Sequence, residues 1–262
     1  MVQTEETLVT SIAPVNRVEA EQLSNEMADT MVALLEQLTP EQWDTQTECE
    51  LWRVRDMTAH LLGWSEALSS FKEMGTQSVG ALRRRKELGN IVDAQNQVQV
   101  DARRNTSSEE LIARIKTSAP KAARRRSSTS RSVGWIPFYM PYMGGWITLS
   151  YLTDEIFPRD WFMHRIDISR AIGLPFTAGP ADQRMLNDIV RDWFERSEAE
   201  ARLQLEGEIG GTYVSKAAPR ATLTADSLEF IRMLFGRTDR SVVGVEGDGA
   251  AAQLWLDTFF PV

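Results

Sequence analysis

In the first third of the chain, apolar residues recur every three or four positions. Leu23, Met27, Met31, Leu34 and Leu35 form one stripe and predict an amphipathic helix over 16–38, with Pro40 following its end. The stretch TPEQWDTQTECELW reads as a loop anchored by Trp43 and Trp52. From about 53 to 73, Val54, Met57, Leu61, Trp64 and Leu68 mark the buried face of a second helix, and His60 sits beside that stripe, facing inward. A third helix is expected over 89–104. Another opens at a cap on Ser107 or Ser108, carries Glu109 and Glu110 in its first turn, and runs to about 126. SSTSRSVGWIPFYMPYMGG then breaks the periodicity with Ser, Gly, proline and aromatics, which predicts a loop. The next helix covers 147–172 and stops before Gly173 and Pro175. On it, Ile156, Asp160, Met163 and Asp167 share a stripe with His164 at its edge, and Pro158 predicts a kink or restart just before Asp160.

After Leu174 the pattern changes. A helix at about 180–200 is followed by alternation in ARLQLEGEIGGTYV and PRATLTA, which predicts strands. Ser227 to Gly236 reads as a short helix, RSVVGVEG as a strand and GAAAQLWLDTFF as a terminal helix. The expected fold class is α+β, with a helical N-terminal domain over 1–175 and a smaller α/β domain over 176–262.

Composition narrows the function classes. Hydrophobic residues at 42% and charged residues at 25% suit a soluble globular protein, and no run approaches a membrane span. The N-terminus is acidic and polar, without the basic start and apolar core of a secretion signal. The one cysteine, Cys49, cannot form an internal disulfide, which fits a reducing cytoplasm. Glu48 and Glu50 flank it and oppose a thiolate there, so thiol chemistry would fall to a bound coenzyme. A net charge of −8 argues against general nucleic-acid binding. Residues 81–131 nonetheless hold 13 Lys and Arg against 5 Asp and Glu, among them Arg83, Arg84, Arg85, Arg124, Arg125 and Arg126. That stretch is either a solvated helix face or a surface for an anionic ligand or an acidic partner.

The candidate chemistry lies in the histidines, of which there are 2. Asp160 and His164 stand four apart and share a helix face; a second helix brings His60. Singly, a histidine on a buried helix face is more often a hydrogen-bonded core residue than a ligand. Together, two imidazoles and one carboxylate form a divalent-metal set with an open position, and zinc suits such donors. Asp167 is either an acceptor for a ligand histidine or half of a structural salt bridge. Asp56 supports the start of the His60 helix. Trp135, Phe138, Tyr139, Tyr142 and Trp146 line a pocket mouth, pack the loop, or form a homodimer surface.

Three stretches carry a family resemblance: WDTQTECELWRVRDMTAHLLGW, DWFMHRIDISRAIGLP and MLFGRTDRSVVGVEGDGAAAQLWL. In order and separation they resemble the mycothiol-dependent maleylpyruvate isomerase family, which belongs to the DinB-like metal-binding four-helix bundles. The resemblance implies that the helical domain over 1–175 is a four-helix bundle. The resemblance places the family's metal-binding histidines on His60 and His164. Its glutamate four residues before the second histidine falls on Asp160, an aspartate one methylene shorter. Its C-terminal Gly-Arg falls on Gly236 and Arg237, so Arg237 is the candidate catalytic residue, holding a substrate carboxylate. The resemblance implies a metal- and mycothiol-dependent isomerase or S-transferase acting on a small electrophilic substrate. A non-catalytic bundle that binds or senses a small molecule, and a metal-dependent hydrolase using bound water, stand as alternatives.

Overall fold

The structure, a computed structural model, describes residues 6–140 and 145–260; the side chains of Arg131, Phe138 and Met140 are not described. The chain packs as two compact units. One is built from Arg17–Trp135 with Ile156–Pro175, the other from Met1–Asn16, Ile136–Glu155 and Phe176–Val262.

The first unit is helical. Its elements in chain order are α1 (Arg17–Leu35), the short α2 (Pro40–Trp43), α3 (Val54–Ser69), α4 (Phe71–Arg84), α5 (Ile91–Arg103), α6 (Ser108–Ser127), the single turn α7 (Arg131–Gly134) and α8 (Phe157–Ala171). Helix α6 packs on α1 and α3, and α8 packs on the same two, so these four close a bundle. The α4–α5 pair lies against α3. The apolar stripe of α1 is buried as its periodicity requires, with Met27, Met31 and Leu35 at 1% exposure or less. Helix α8 is buried on nearly every side, from Phe157 to Ser169.

Three sequence expectations change. The helix expected over 53–73 ends at Ser69. Ser70 adopts an extended backbone and its hydroxyl accepts from the Glu73 amide at 3.3 Å, capping α4. Serine is worth more as a cap than inside a helix, so the run splits into two. The expected loop after residue 127 contains α7 and a hairpin of β2 (Pro137–Met140) with β3 (Gly145–Thr148), in which Tyr139 pairs with Trp146. Their rings meet at 5.6 Å, an aromatic cross-strand contact that favours strands. Both residues are more than half exposed, and Tyr142 lies outside the described residues. The helix expected from 147 begins as an α-helix only at Phe157, after a π-helical turn over Tyr151–Ile156. Pro158 occupies its first turn, where no amide hydrogen is needed, and so restarts the helix.

The second unit holds a mixed sheet in the order β1-β5-β4-β6-β7, with β1 (Glu6–Leu8), β4 (Ala201–Glu206), β5 (Gly211–Val214), β6 (Ala221–Asp226) and β7 (Gly244–Gly247). β4 runs parallel to β6 and antiparallel to β5. Alternate residues of β4 and β6 are buried, as the alternation predicts. α9 (Pro180–Ser197), α10 (Ser227–Leu234) and α11 (Gly249–Leu256) pack around that core. The α+β class holds.

Candidate metal centre

His60 lies in the middle of α3, a helix whose start is fixed by Asp56: its carboxylate accepts from the Arg53 amide at 3.0 Å. Asp160 and His164 lie one turn apart on α8, with Asp160 in the first turn where the helix dipole favours a carboxylate. The bundle brings the three together. Asp160 Oδ2 is 3.3 Å from His60 Nε2, and Asp160 Oδ1 is 3.2 Å from His164 Nε2. One donor atom from each lies within 4.8 Å of the others. Two ligand atoms bound tetrahedrally at ordinary zinc distances stand about 3.3 Å apart, the spacing each imidazole nitrogen keeps to its own, different, oxygen of Asp160. The histidine side chains are 4% and 2% exposed, and Asp160 is 12% exposed.

Two features fit a cation better than a plain ion pair. His164 Nε2 is buried and close to Asp160, yet it is not aligned for a hydrogen bond with it or with any other described group. A buried polar atom left this way is costly unless a lone pair there has another use. The other nitrogen of each ring is held from behind. His164 Nδ1 donates to Asp167 at 3.1 Å, and His60 Nδ1 meets Gln99 at 2.9 Å. Ligand histidines are oriented by such partners. Asp167, fully buried, therefore takes the acceptor role rather than only a salt bridge to an arginine. Cys49 Sγ lies 4.0 Å from the same carboxylate.

Without a cation the electrostatics are those of an ion pair. Burial alone would pull the His164 imidazolium down, but Asp160 and Asp167 outweigh it and push it up to about 9. Burial would raise Asp160, but His164 and His60 hold it well below the usual carboxylate range. The carboxylate is therefore ready as an anionic ligand, and a cation entering the site displaces a proton from His164.

Trp52 was read as a loop anchor and does more. Its ring lies 4.8 Å from His60 and 6.0 Å from His164, so the indole walls the centre from the loop before α3. Beside Asp160, a small cavity of about 10 Å³, room for roughly one water, is lined by Trp64, Phe157, Trp161 and Arg126. Arg126 belongs to the basic stretch singled out in the sequence. It is buried, donates to Ser24 Oγ at 2.6 Å, and lies over the Phe157 ring. Sequence reasoning also missed the buried Gln77, Gln95 and Gln99. The four-residue spacing of Gln95, Gln99 and Arg103 was the available signal.

Arg237 belongs to the sheet unit, whereas the three candidate ligands belong to the helical one. It follows Gly236, whose φ of +70° ends α10, and its guanidinium donates to the Phe235 carbonyl at 3.1 Å. No helix among the described residues is long and apolar enough to cross a membrane.

A search of curated proteins finds no match to this chain. Among solved structures, the chain is similar to the mycothiol-dependent maleylpyruvate isomerase, with 14% identity and a TM-score of 0.57 over 92% of this chain and 95% of that one. It is equally similar to a variant of that enzyme in which a histidine is replaced by alanine, at 13% identity and a TM-score of 0.56 over the same shares. These similarities establish the shared fold. The sequence pattern of the mycothiol maleylpyruvate isomerase N-terminal domain matches residues 25–169, which contain α3, most of α8 and the whole centre. With more than half its length so matched, the chain belongs to the mycothiol maleylpyruvate isomerase family.

Proposed function

We propose that this protein is a mycothiol-dependent enzyme that holds a divalent metal, zinc by its donors, at His60, Asp160 and His164, and isomerises a small electrophilic substrate. The convergence of those three side chains around a buried, unaligned His164 Nε2 carries the reading. A divalent ion there would hold a coordinated thiol as thiolate at neutral pH.

The remaining roles belong to the chain. Asp167 keeps the proton of His164 on Nδ1 and leaves Nε2 free to coordinate. Trp52 limits water at the two imidazoles. A thiolate adds to an activated carbon–carbon double bond, the resulting single bond turns, and the same carbon–sulfur bond breaks to return the thiolate. Arg237, proposed on the motif alone, holds a substrate carboxylate through its fork. If the adduct is retained instead of released, the same site performs S-transfer.

The test is turnover of maleylpyruvate to its trans isomer by purified protein, with mycothiol, with another small thiol, and with none. Turnover that requires mycothiol supports the reading. Turnover of a hydrolysable ester or amide without any thiol would contradict it in favour of a hydrolase. Tight binding of substrate with no turnover under any condition would favour a sensing bundle.

A further inference from the structure

Different chemistry stands behind the two imidazoles. A carboxylate only accepts, so Asp167 fixes Nδ1 of His164 as a donor. A carboxamide can present either end, so Gln99 by itself leaves the His60 tautomer open.

The surroundings of Gln99 close that choice. Gln77, on α4 and 1% exposed, places Nε2 3.0 Å from the Gly63 carbonyl and 2.9 Å from Glu73 Oε1. A backbone carbonyl has no donor form, so the Gln77 amino group must face it, and Oε1 must face the other way. There Oε1 receives Gln95 Nε2 at 2.9 Å and Gln99 Nε2 at 3.1 Å. Gln99, fully buried, has then committed its amino group and turns Oε1 to His60 Nδ1. That nitrogen must donate. The other nitrogen, Nε2, faces Asp160 Oδ2 at 3.3 Å, and a carboxylate only accepts, so a cation takes the Nε2 lone pair by replacing that N–H contact while Nδ1 keeps its proton.

We propose that Gln77 and Gln99 are positioning residues. They form a directional amide relay, anchored at the Gly63 carbonyl, that sets the His60 tautomer and aims its Nε2 lone pair into the metal centre. Glycine at 63 is what lets α5 come close enough, because a Cβ there would sit 2.5 Å from Gln99 Cβ. The use of the relay rests on the metal centre proposed above; its polarity does not.

With two histidines in the chain, selective nitrogen-15 histidine labelling gives two ring spectra, assigned through a His164→Gln variant. Wild-type His60 should carry a proton on Nδ1, and Gln99→Met and Gln77→Met should each lower its occupancy there. Zinc affinity, read by competition with a chromophoric chelator, should fall about 10–100-fold in Gln99→Met and less in Gln77→Met. Gln99→Glu keeps an acceptor at Nδ1 and should stay within a few-fold of wild type. Should Gln99→Met fail to fold, Gln77→Met, one bond further from the ring, carries the test. A wild-type Nδ1 that carries no proton, or ring signals unchanged in both methionine variants, overturns the relay. Altered ring signals with wild-type zinc affinity overturn its role at the metal. A wild-type protein that takes no zinc while His60 holds its proton on Nδ1 overturns the metal centre and supports the relay.

Discussion

Gly63 lies inside α3, three residues after His60, and its replacement by alanine gives a sharp test of the packing that supports the centre. The added Cβ would meet Gln99 Cβ and Cγ at 2.5 Å and Cδ at 2.9 Å, where ordinary contact begins at 3.4 Å. Gln99 Cβ moves only with its backbone, so no change of rotamer relieves the overlap. Helices α3 and α5 must part by roughly 1 Å. Overpacking costs about 1–3 kcal/mol, and an overlap this deep with no rotamer to relieve it falls in the upper part of that range, about 2–3 kcal/mol. Alanine's better helix propensity returns up to about 1 kcal/mol, leaving a net loss of roughly 1–2 kcal/mol. In a chain of this size that lowers Tm by about 2–8 °C. Gly75, in α4, is the control. Nothing lies within 4 Å of a Cβ built there, so Gly75→Ala should gain about 0.5–1 kcal/mol and raise Tm by a few degrees. Thermal unfolding by circular dichroism reads both, and chelator competition should show weaker zinc binding in Gly63→Ala because Gln99 is displaced from His60. A Gly63→Ala protein as stable as wild type, or a Gly75→Ala protein that loses as much, refutes the packing argument.

Asp160→Ala should weaken metal binding by at least about tenfold, while Asp160→Glu should retain it; equal affinity in Asp160→Ala and wild type would remove Asp160 from the ligand set. For Glu66, burial would raise the carboxyl, but Arg114 and Arg103 outweigh burial and hold it below its ordinary value of 4.5. A lowered folded value gives stability that is fully present above pH 4.5 and lost as pH falls below 4.5 and through the lower folded value, so Glu66→Gln should lower Tm at pH 7 and match wild type in strong acid. A constant Tm gap across that range would exclude the ion-pair account. Arg237→Lys should cut turnover while metal content and Tm stay put, since lysine keeps the charge and loses the fork; loss of stability together with activity would mark Arg237 as structural.

Much of the helical unit is legible because the signals are local. The stripe of α1, the serine cap of α6 and the proline restart of α8 each depend on residues within a turn or two of each other. His60, Asp160 and His164 stand out because histidine is scarce in this chain and four-residue spacing fixes a shared face. What stays hidden depends on partners distant in sequence. The hairpin over 137–148 is held by a cross-strand pairing that composition alone reads as a loop. β1 is three residues in a polar run and becomes a strand only by pairing with β5. Gln77 and Gln99 sit in helices with many polar residues; the four-residue spacing of Gln95, Gln99 and Arg103 marks a shared face, but only the approach of α3 shows that this face is buried. Trp52 shows an aromatic anchor in sequence, but its contact with two imidazoles follows only from the approach of α3 and α8.

Metal content of the purified protein tests the central claim most directly. Elemental analysis should find close to one divalent ion per chain, zinc foremost, and His164→Ala should lose it while keeping its helical content. Wild-type protein that is fully folded, carries no metal and takes up none when zinc is added would contradict the account.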